Sequence, residues 1–413
     1  VKLAIVTRKF WPYCGSTEME VVDLAQVLRS AGHAVEIITV QWEKKWPKNF
    51  HLREIPVVRI GRSLGGAWGM FRFLRELKYH LTEAEIQGVI VYGLNDEAWG
   101  VIRSFVSQWP MVVRVHWREA ERFFNRPVNL RHRTILQRTK KLIVDSEDTA
   151  GLLGSQFDSR LITMVPACGT PVGSELPHSP SQLRAFLADA HPILTVEPGQ
   201  PLVICGSSLA DPAINILLKA WKKTLRQFPK ARLWILGNGK LGRGVWEAIV
   251  NHDLTDSIVM PGYFDNLDEV LRSADLYVHL ISKGGDSYVL LKALSAGLPA
   301  ISLPTPSMER FITQGIDGRF SSDRSPEALA EVMVELLASV EQRRQLGSNA
   351  RKNSYRWNLS HWCSSFCEPL LEASVNNGLD RVGTSPESTS KLTQFTQSEF
   401  IRSDNQNSQP PQI

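Results

Sequence analysis

Three positions in this chain have residue types and surroundings that suit chemistry on anionic groups. Gly15 and Ser16 stand in a loop after the first apolar run, where a residue without a side chain lets backbone approach a phosphate or a sugar. Ser287 precedes a helical pattern, Tyr288–Ala296, and the unpaired N–H groups of a helix's first turn attract negative charge. His116 closes a strand pattern, Met111–Val115, and is followed by Trp117 and Arg118. It lies in a basic stretch, Arg114–Lys141, with nine Lys and Arg against Glu119 and Glu121, and with Trp117, Phe123 and Phe124 interleaved. Such a mixture suits an anionic surface or substrate, and equally a solvated helix face. The five cysteines show no paired metal spacing, and Cys363 and Cys367, one helical turn apart, read as a half-buried helix face. No metal or other cofactor is expected, and no recognised nucleic-acid-binding module is present.

The elements that must position these residues alternate strand and helix. Leu3–Thr7 is a continuous apolar run, as in a strand buried on both faces of a parallel sheet. Val21, Val22, Leu24, Ala25 and Leu28 recur at helical spacing, Gly32 ends that helix, and Val35–Val40 is the next strand. Strand, helix and strand in forty residues make a right-handed βαβ unit. Further strands are expected at Val57–Ile60, Gly88–Tyr92, Met111–Val115, Lys141–Val144 and Ile162–Val165. A stretch rich in Pro, Ser and Gly, 171–200, reads as a connection. A second series follows, with strands at Leu202–Cys205, Arg232–Leu236, Ser257–Met260, Leu276–His279 and Ala300–Leu303. Its helices are Ile214–Gln227 (capped by Asp211), Asn266–Arg272, Tyr288–Ala296, Pro326–Ser339 and a closing Ser360–Leu371.

The chain is 413 residues long, which favours two domains over one core. Domains are expected at 1–180 and 195–371, both doubly wound α/β, with a cleft at the carboxyl ends of their strands. A disordered tail is expected at 374–413, where Ser, Thr, Asn and Gln dominate. A composition of 43% hydrophobic and 22% charged residues excludes a mainly disordered, collagen-like or membrane-embedded chain. Residues 1–190 hold 25 Lys and Arg against 19 Asp and Glu, so the whole positive excess of a chain with net charge +5 lies in the first half. The apolar run Leu3–Val6 is well short of a signal-peptide core, and no stretch reaches the roughly 18 apolar residues of a membrane span. A cytoplasmic protein is the expectation.

Several segments, in order, resemble a GT-B glycosyltransferase, and more specifically the large family 4 of retaining, nucleotide-sugar-dependent transferases. They are Pro12–Glu18, Ile162–Pro166, Ala231–Gly239, Pro261–Phe264, Ser273–Val278 and Leu290–Pro299, followed by Glu309, Asp317–Gly318 and Pro326–Ala330. The resemblance covers about residues 1–371. It implies two Rossmann-like domains, the first binding the acceptor and the second a nucleoside-diphosphate sugar. Charge builds on the diphosphate as the sugar leaves, so the site must stabilise it. The resemblance places Gly15, Ser16, Ser207, Ser208, Gly237, Gly262, Tyr263, Gly285, Ser287, Tyr288, Lys292 and Glu309 around the donor. It places His116 beside the sugar. The acceptor implied is a glycan or a lipid-linked molecule.

The chain departs from that family at four diagnostic positions. The two carboxylates of its Glu-x7-Glu pair fall on Gly284 and Lys292, and its diphosphate-clamping Arg and Lys fall on Ser207 and Pro212. Two functions remain open. In one, an active transferase uses Asp286 as its carboxylate, Lys292 reaches the diphosphate or ribose, and Arg118 or Arg122 supplies positive charge across the cleft. In the other, turnover is lost and the protein binds a glycan, a lipid-linked sugar or a partner transferase. A basic amphipathic helix around Trp68–Leu81, with Arg72, Arg75 and Lys78, suits either core packing or an anionic bilayer.

Overall fold

In the computed structural model, the residues described are 1–61, 66–124, 130–167, 179–206, 212–237, 242–264, 266–280, 287–357 and 359–376. Long apolar runs need partners on both faces, and the chain meets that need with two parallel sheets flanked by helices. The first sheet holds β1 (Lys2–Thr7), β2 (Ala34–Val40), β3 (Asn49–Leu52), β4 (Ile55–Ile60), β5 (Gly88–Tyr92), β6 (Met111–Val115), β7 (Lys141–Val144) and β8 (Ile162–Met164). Their order is β3-β4-β2-β1-β5-β6-β7-β8, and β3 alone among these strands runs antiparallel to its neighbour. The second sheet holds β9 (Leu202–Cys205), β10 (Arg232–Leu236), β11 (Ile258–Gly262), β12 (Leu276–His279), β13 (Ala300–Ser302) and β14 (Gly318–Phe320). Its order is β11-β10-β9-β12-β13-β14, all parallel.

Both sheets reverse their winding at one point, between β1 and β5 in the first and between β9 and β12 in the second. The two strands pair side by side there, but the connections that follow them leave to opposite faces of the sheet, which opens a crevice at the carboxyl edge. The first sheet carries helices α1 (Ser16–Ser30), α2 (Gly66–Glu83), α3 (Asp96–Phe105), α4 (Trp117–Phe124), α5 (Leu130–Leu136) and α6 (Glu147–Gly154). After α7 (Pro180–Ala190) come α8 (Ile214–Thr224), α9 (Gly242–Asn251), α10 (Leu267–Arg272), α11 (Tyr288–Ser295), α12 (Pro306–Glu309), α13 (Pro326–Ala338), α14 (Val340–Ser354) and α15 (Leu359–Asn376).

Cores on both faces of each sheet explain the continuous apolar strands. One face of the second sheet packs Trp221 and Leu217 of α8 against Leu336 and Met333 of α13. The helix α15 returns to the first sheet: Phe366 stacks on Tyr92 with ring centroids 6.5 Å apart, and Trp362 and Leu370 share the core of Leu3 and Ile5.

Among the elements absent from the sequence reading, four show a clear physical reason. The edge strand β3 pairs on one side only and mixes Asn49 and His51 with Phe50 and Leu52, so its apolar signal is thin. The strand β14 is three residues long and begins with a glycine. The helix α7 lies inside the Pro- and Ser-rich connection, yet Ser179 and Gln182 form a reciprocal capping box around Pro180. The expected helix Pro326–Ser339 ends at Ala338, because Ser339 is extended and caps a new helix, α14, whose polar surface hides its period. The helix after β9 is capped at Ala213 without a side-chain bond, and the expected cap Asp211 lies outside the described residues. The closing helix runs to Asn376, three residues into the expected tail; the rest of that tail lies outside the described residues.

Candidate functional site

The helix α1 starts at the carboxyl edge of β1 and turns two acids, Glu20 and Asp23, away from solvent. Three residues apart, they share a face of the helix. A buried carboxylate demands partners, and each acid finds its own.

Glu20 meets the first sheet. Arg114, the fourth residue of β6, is fully buried and places Nη2 2.8 Å from Glu20 Oε1. Its Nη1 donates to the carbonyls of Val144, the last residue of the neighbouring β7, and of Val165, just past the end of β8. His116 lies two residues on, about one fifth exposed, with Nδ1 3.2 Å from Asp145 Oδ2 and Nε2 3.8 Å from Glu20 Oε2. Asp145 is held in turn by Thr149 Oγ1 at 2.8 Å and Ser146 Oγ at 3.3 Å. Burial by itself depresses the imidazole's pKa, but the bond to Asp145 and the charges of Glu20 and Asp145 prevail and raise it to about 9. His116 is therefore an imidazolium at neutral pH, and its Nε2 makes no hydrogen bond to any described residue. Burial favours neutral Asp145, yet His116 and Arg114 reverse this and hold its pKa below the ordinary carboxylate value.

Asp23 meets the second sheet. Tyr288 and Lys292, one turn apart on α11, both point at it. The Tyr288 hydroxyl donates to Asp23 Oδ2 at 2.8 Å, and Lys292 Nζ stands 3.0 Å from the same oxygen. Asp268, at the start of α10, is 3.7 Å from the ammonium. The side chains of Lys292 and Asp23 are only 7% and 4% exposed, so this is a desolvated pair that joins the two sheets. A second contact across the crevice lies at the surface. Arg310 donates to Glu147 at 2.7 Å, and Ser307 to Asp148 at 3.2 Å.

The loops at the two edges also meet. Gly15 is extended and caps α1; a Cβ there would lie 2.8 Å from Glu18 Oε2 and 3.9 Å from the ring of Tyr263. Gly262 reaches φ +87, a left-handed conformation natural to glycine, and so turns Tyr263 toward Gly15. Ser16 is the first residue of α1, and Gly237 follows β10. Ser287 precedes α11, is 1% exposed, and its hydroxyl has no hydrogen-bond partner among the described residues. Glu309 ends α12 and is exposed, as are Arg118 and Arg122 on α4. Ser207, Ser208, Gly285 and Asp286 lie outside the described residues.

The structure thus brings together His116, Tyr288 and Lys292 through α1, and Gly15 with Tyr263. Lys292, expected to reach the diphosphate or ribose, has its ammonium against Asp23. Sequence reasoning missed Glu20, Asp23 and Asp145. Two acids set three apart among Met19, Val21, Val22, Leu24 and Ala25 were the available signal, since charge on an apolar helix face needs a buried partner.

Two outcomes follow. In an NMR titration, His116 should titrate near pH 9, and Asp145→Asn should move it down toward the ordinary value of 6.5. Because the folded pKa is raised, the stability this contact contributes is complete below about pH 6.5 and is lost as pH rises through about 9. An imidazole titrating at 6.5 in the unaltered protein would refute the arrangement. Lys292→Ala should lower stability in urea by about 3–5 kcal/mol, because Asp23 is left buried without its cation. The pair Asp23→Leu with Lys292→Met should recover most of that loss; a single variant that costs nothing shows that the two groups do not meet.

A family model described as "Glycosyltransferase Family 4" matches residues 17–168, and one described as "Glycosyl transferases group 1" matches 191–353. N-acetyl-alpha-D-glucosaminyl L-malate synthase of Bacillus anthracis is 27% identical over 125 residues, 30% of this chain and only 33% of that protein. Phosphatidyl-myo-inositol mannosyltransferase of Mycolicibacterium smegmatis is 23% identical over 370 residues, 84% of this chain and 87% of that one. The crystal structure of Anabaena HepE in complex with UDP-glucose superposes with a TM-score of 0.67 at 16% identity, over 90% of this chain and 99% of that one. With one model matched on each sheet and the fold shared over 90% of its length, the chain is a GT-B fold protein related to the glycosyltransferases of family 4 and group 1.

Proposed function

We propose that this protein transfers a sugar from a nucleoside-diphosphate sugar to a glycan or lipid-linked acceptor, with retention at the anomeric carbon. In this reading residues 1–180 bind the acceptor and 195–371 the donor. The observation that carries it is the meeting of the two crevice loops, Gly15 with Tyr263, beside a cationic His116 and the capless start of α11. A charged imidazole and unpaired helix N–H groups stabilise an anion, and a departing diphosphate is one. The solved relative that holds UDP-glucose supports the same donor class. His116 acts as a hydrogen-bond donor to the sugar or diphosphate, since its proton is retained at neutral pH. Asp286 supplies the carboxylate near the sugar.

A second reading has its own support: Lys292 is engaged by Asp23, so one cation of the donor lobe is committed to the fold. In that reading the protein binds a glycan, a lipid-linked sugar or a partner transferase without turnover.

Thermal-shift screening separates the two. A ligand at a hundred times its Kd adds about 2.7 kcal/mol of stability, so one nucleoside diphosphate and its sugar should raise Tm by several degrees. NMR of the product should then show the donor's anomeric configuration. A flat response to every nucleoside diphosphate removes the transferase reading.

The acceptor side suits a bilayer. In α2, Phe73, Leu77 and Leu81 are buried, while Trp68 is 85%, Phe71 59% and Tyr79 69% exposed beside Arg72, Arg75 and Lys78. No helix among the described residues is long and apolar enough to cross a membrane. We therefore include peripheral binding to an anionic, cytoplasmic membrane face in the proposal. The protein should co-sediment with vesicles containing anionic phosphatidylglycerol, and W68A with F71A should abolish this; equal binding to neutral vesicles removes the membrane role.

A further inference from the structure

Away from the charged cluster, a cavity of about 130 Å³ lies between the start of α1 and the β3–β4 hairpin. Phe10, Trp11, Tyr13, Met19, Val22 and Leu52 make up its apolar lining, and it opens to solvent. A space of this size and character accepts one six-membered ring: an apolar cavity of about 150 Å³ is known to stay dry and take up benzene.

Its walls are held by contacts outside the cavity. The ring of Tyr13 stands edge-on to Trp46 at 5.6 Å, with Lys9 Nζ 5.2 Å from its centroid. Arg59, 4% exposed, donates to the Trp11 carbonyl at 2.6 Å and stacks over Phe50 at 4.2 Å. The hairpin turn is built from Arg53 and Glu54, with φ +48 and +65 and no glycine. A two-residue hairpin loop between Leu52 and Ile55 calls for left-handed backbone at both positions, so the turn follows from the strand pairing. Arg29 donates to the Glu54 carbonyl and pins the turn, which keeps Arg53 in the cavity lining.

Glu18 connects the cavity to the crevice. It is part of the lining, and its Oε2 lies against Gly15, which faces Tyr263. Burial raises its pKa, while the charges of Lys9 and His116 pull it back, so the carboxyl sits within electrostatic reach of the imidazolium. An apolar pocket with few polar groups at one end is the usual form of a small-molecule site.

We propose that this cavity is an acceptor subsite for a ring-sized apolar group, with Glu18 accepting a hydrogen bond from a hydroxyl attached to that group. The acceptor class is therefore a hydroxylated aromatic or alicyclic moiety. The assignment rests on the transferase reading for the word acceptor, but the binding itself requires no turnover.

The probe is phenol, measured on the full chain by saturation-transfer NMR, with glycerol as the polar control and toluene as the ring without a hydroxyl. Phenol should bind and glycerol should not. Leu52→Trp, which fills the cavity from the hairpin, should weaken phenol roughly tenfold. Glu18→Leu should weaken phenol but leave toluene unchanged. A measurement without variants uses the half-buried Cys14 thiol in the cavity wall: phenol should slow its alkylation by iodoacetamide, and glycerol should not. Phenol that binds no better than glycerol, ignores Leu52→Trp, or leaves Cys14 alkylation unchanged overturns the site. The response to nucleoside diphosphates, read on the same sample, reports on the donor separately. A nucleotide response without phenol binding defeats the subsite alone; phenol binding without any nucleotide response keeps the cavity as a ring site and defeats its role as an acceptor subsite.

Discussion

A carboxylate that folding removes from water must be matched, and Asp23 is matched across the crevice. Its partners, the Tyr288 hydroxyl and the Lys292 ammonium, belong to a helix of the other sheet. Desolvating such a pair costs several kcal/mol per ion, which the attraction offsets only when geometry is close and spare hydrogen-bonding capacity is filled. The geometry is close here, with two donors on one oxygen at 2.8 and 3.0 Å. The contact fixes where α1 sits against α11, and therefore where the loop before α1 meets the loop after β11.

This arrangement redistributes charge in the crevice. The second sheet contributes a helix start and a buried serine hydroxyl, but its lysine is bound to Asp23. The first sheet contributes a cation instead, because Asp145 and Glu20 stabilise His116 in its protonated form more than burial opposes it. The acids of α1 thus act in opposite directions along one helix. Glu20 and Arg114 build the floor under the imidazolium, while Asp23 reaches away to the second sheet. The outer contact of Glu147 and Asp148 with Arg310 and Ser307 is more exposed and weaker in kind, since water screens it. The inner contact therefore dominates the coupling between the sheets.

Most strands were legible because a parallel sheet covered on both faces requires unbroken apolar runs, and Leu3–Thr7, Gly88–Tyr92 and Leu276–His279 show them plainly. Elements with one solvated side or very short length, such as β3 and β14, carry too little of that signal. The site was legible only in part. His116, Tyr288 and Lys292 were singled out, but the partner that engages Lys292 was not, and four expected site residues (Ser207, Ser208, Gly285 and Asp286) lie outside the described residues. Glu20 and Asp23 looked like ordinary helix charges.

The sequence by itself determined the βαβ winding, the two sheets, and the crevice at their carboxyl edges, because hydrophobic period and turn residues act over a few neighbours. Only the tertiary structure decided which charges meet. Asp23 and Lys292 lie in different βαβ units, one on each sheet, and no local pattern records that pairing. Once both are desolvated in the same small volume, the energy of leaving either alone selects the contact, and with it the role that Lys292 plays.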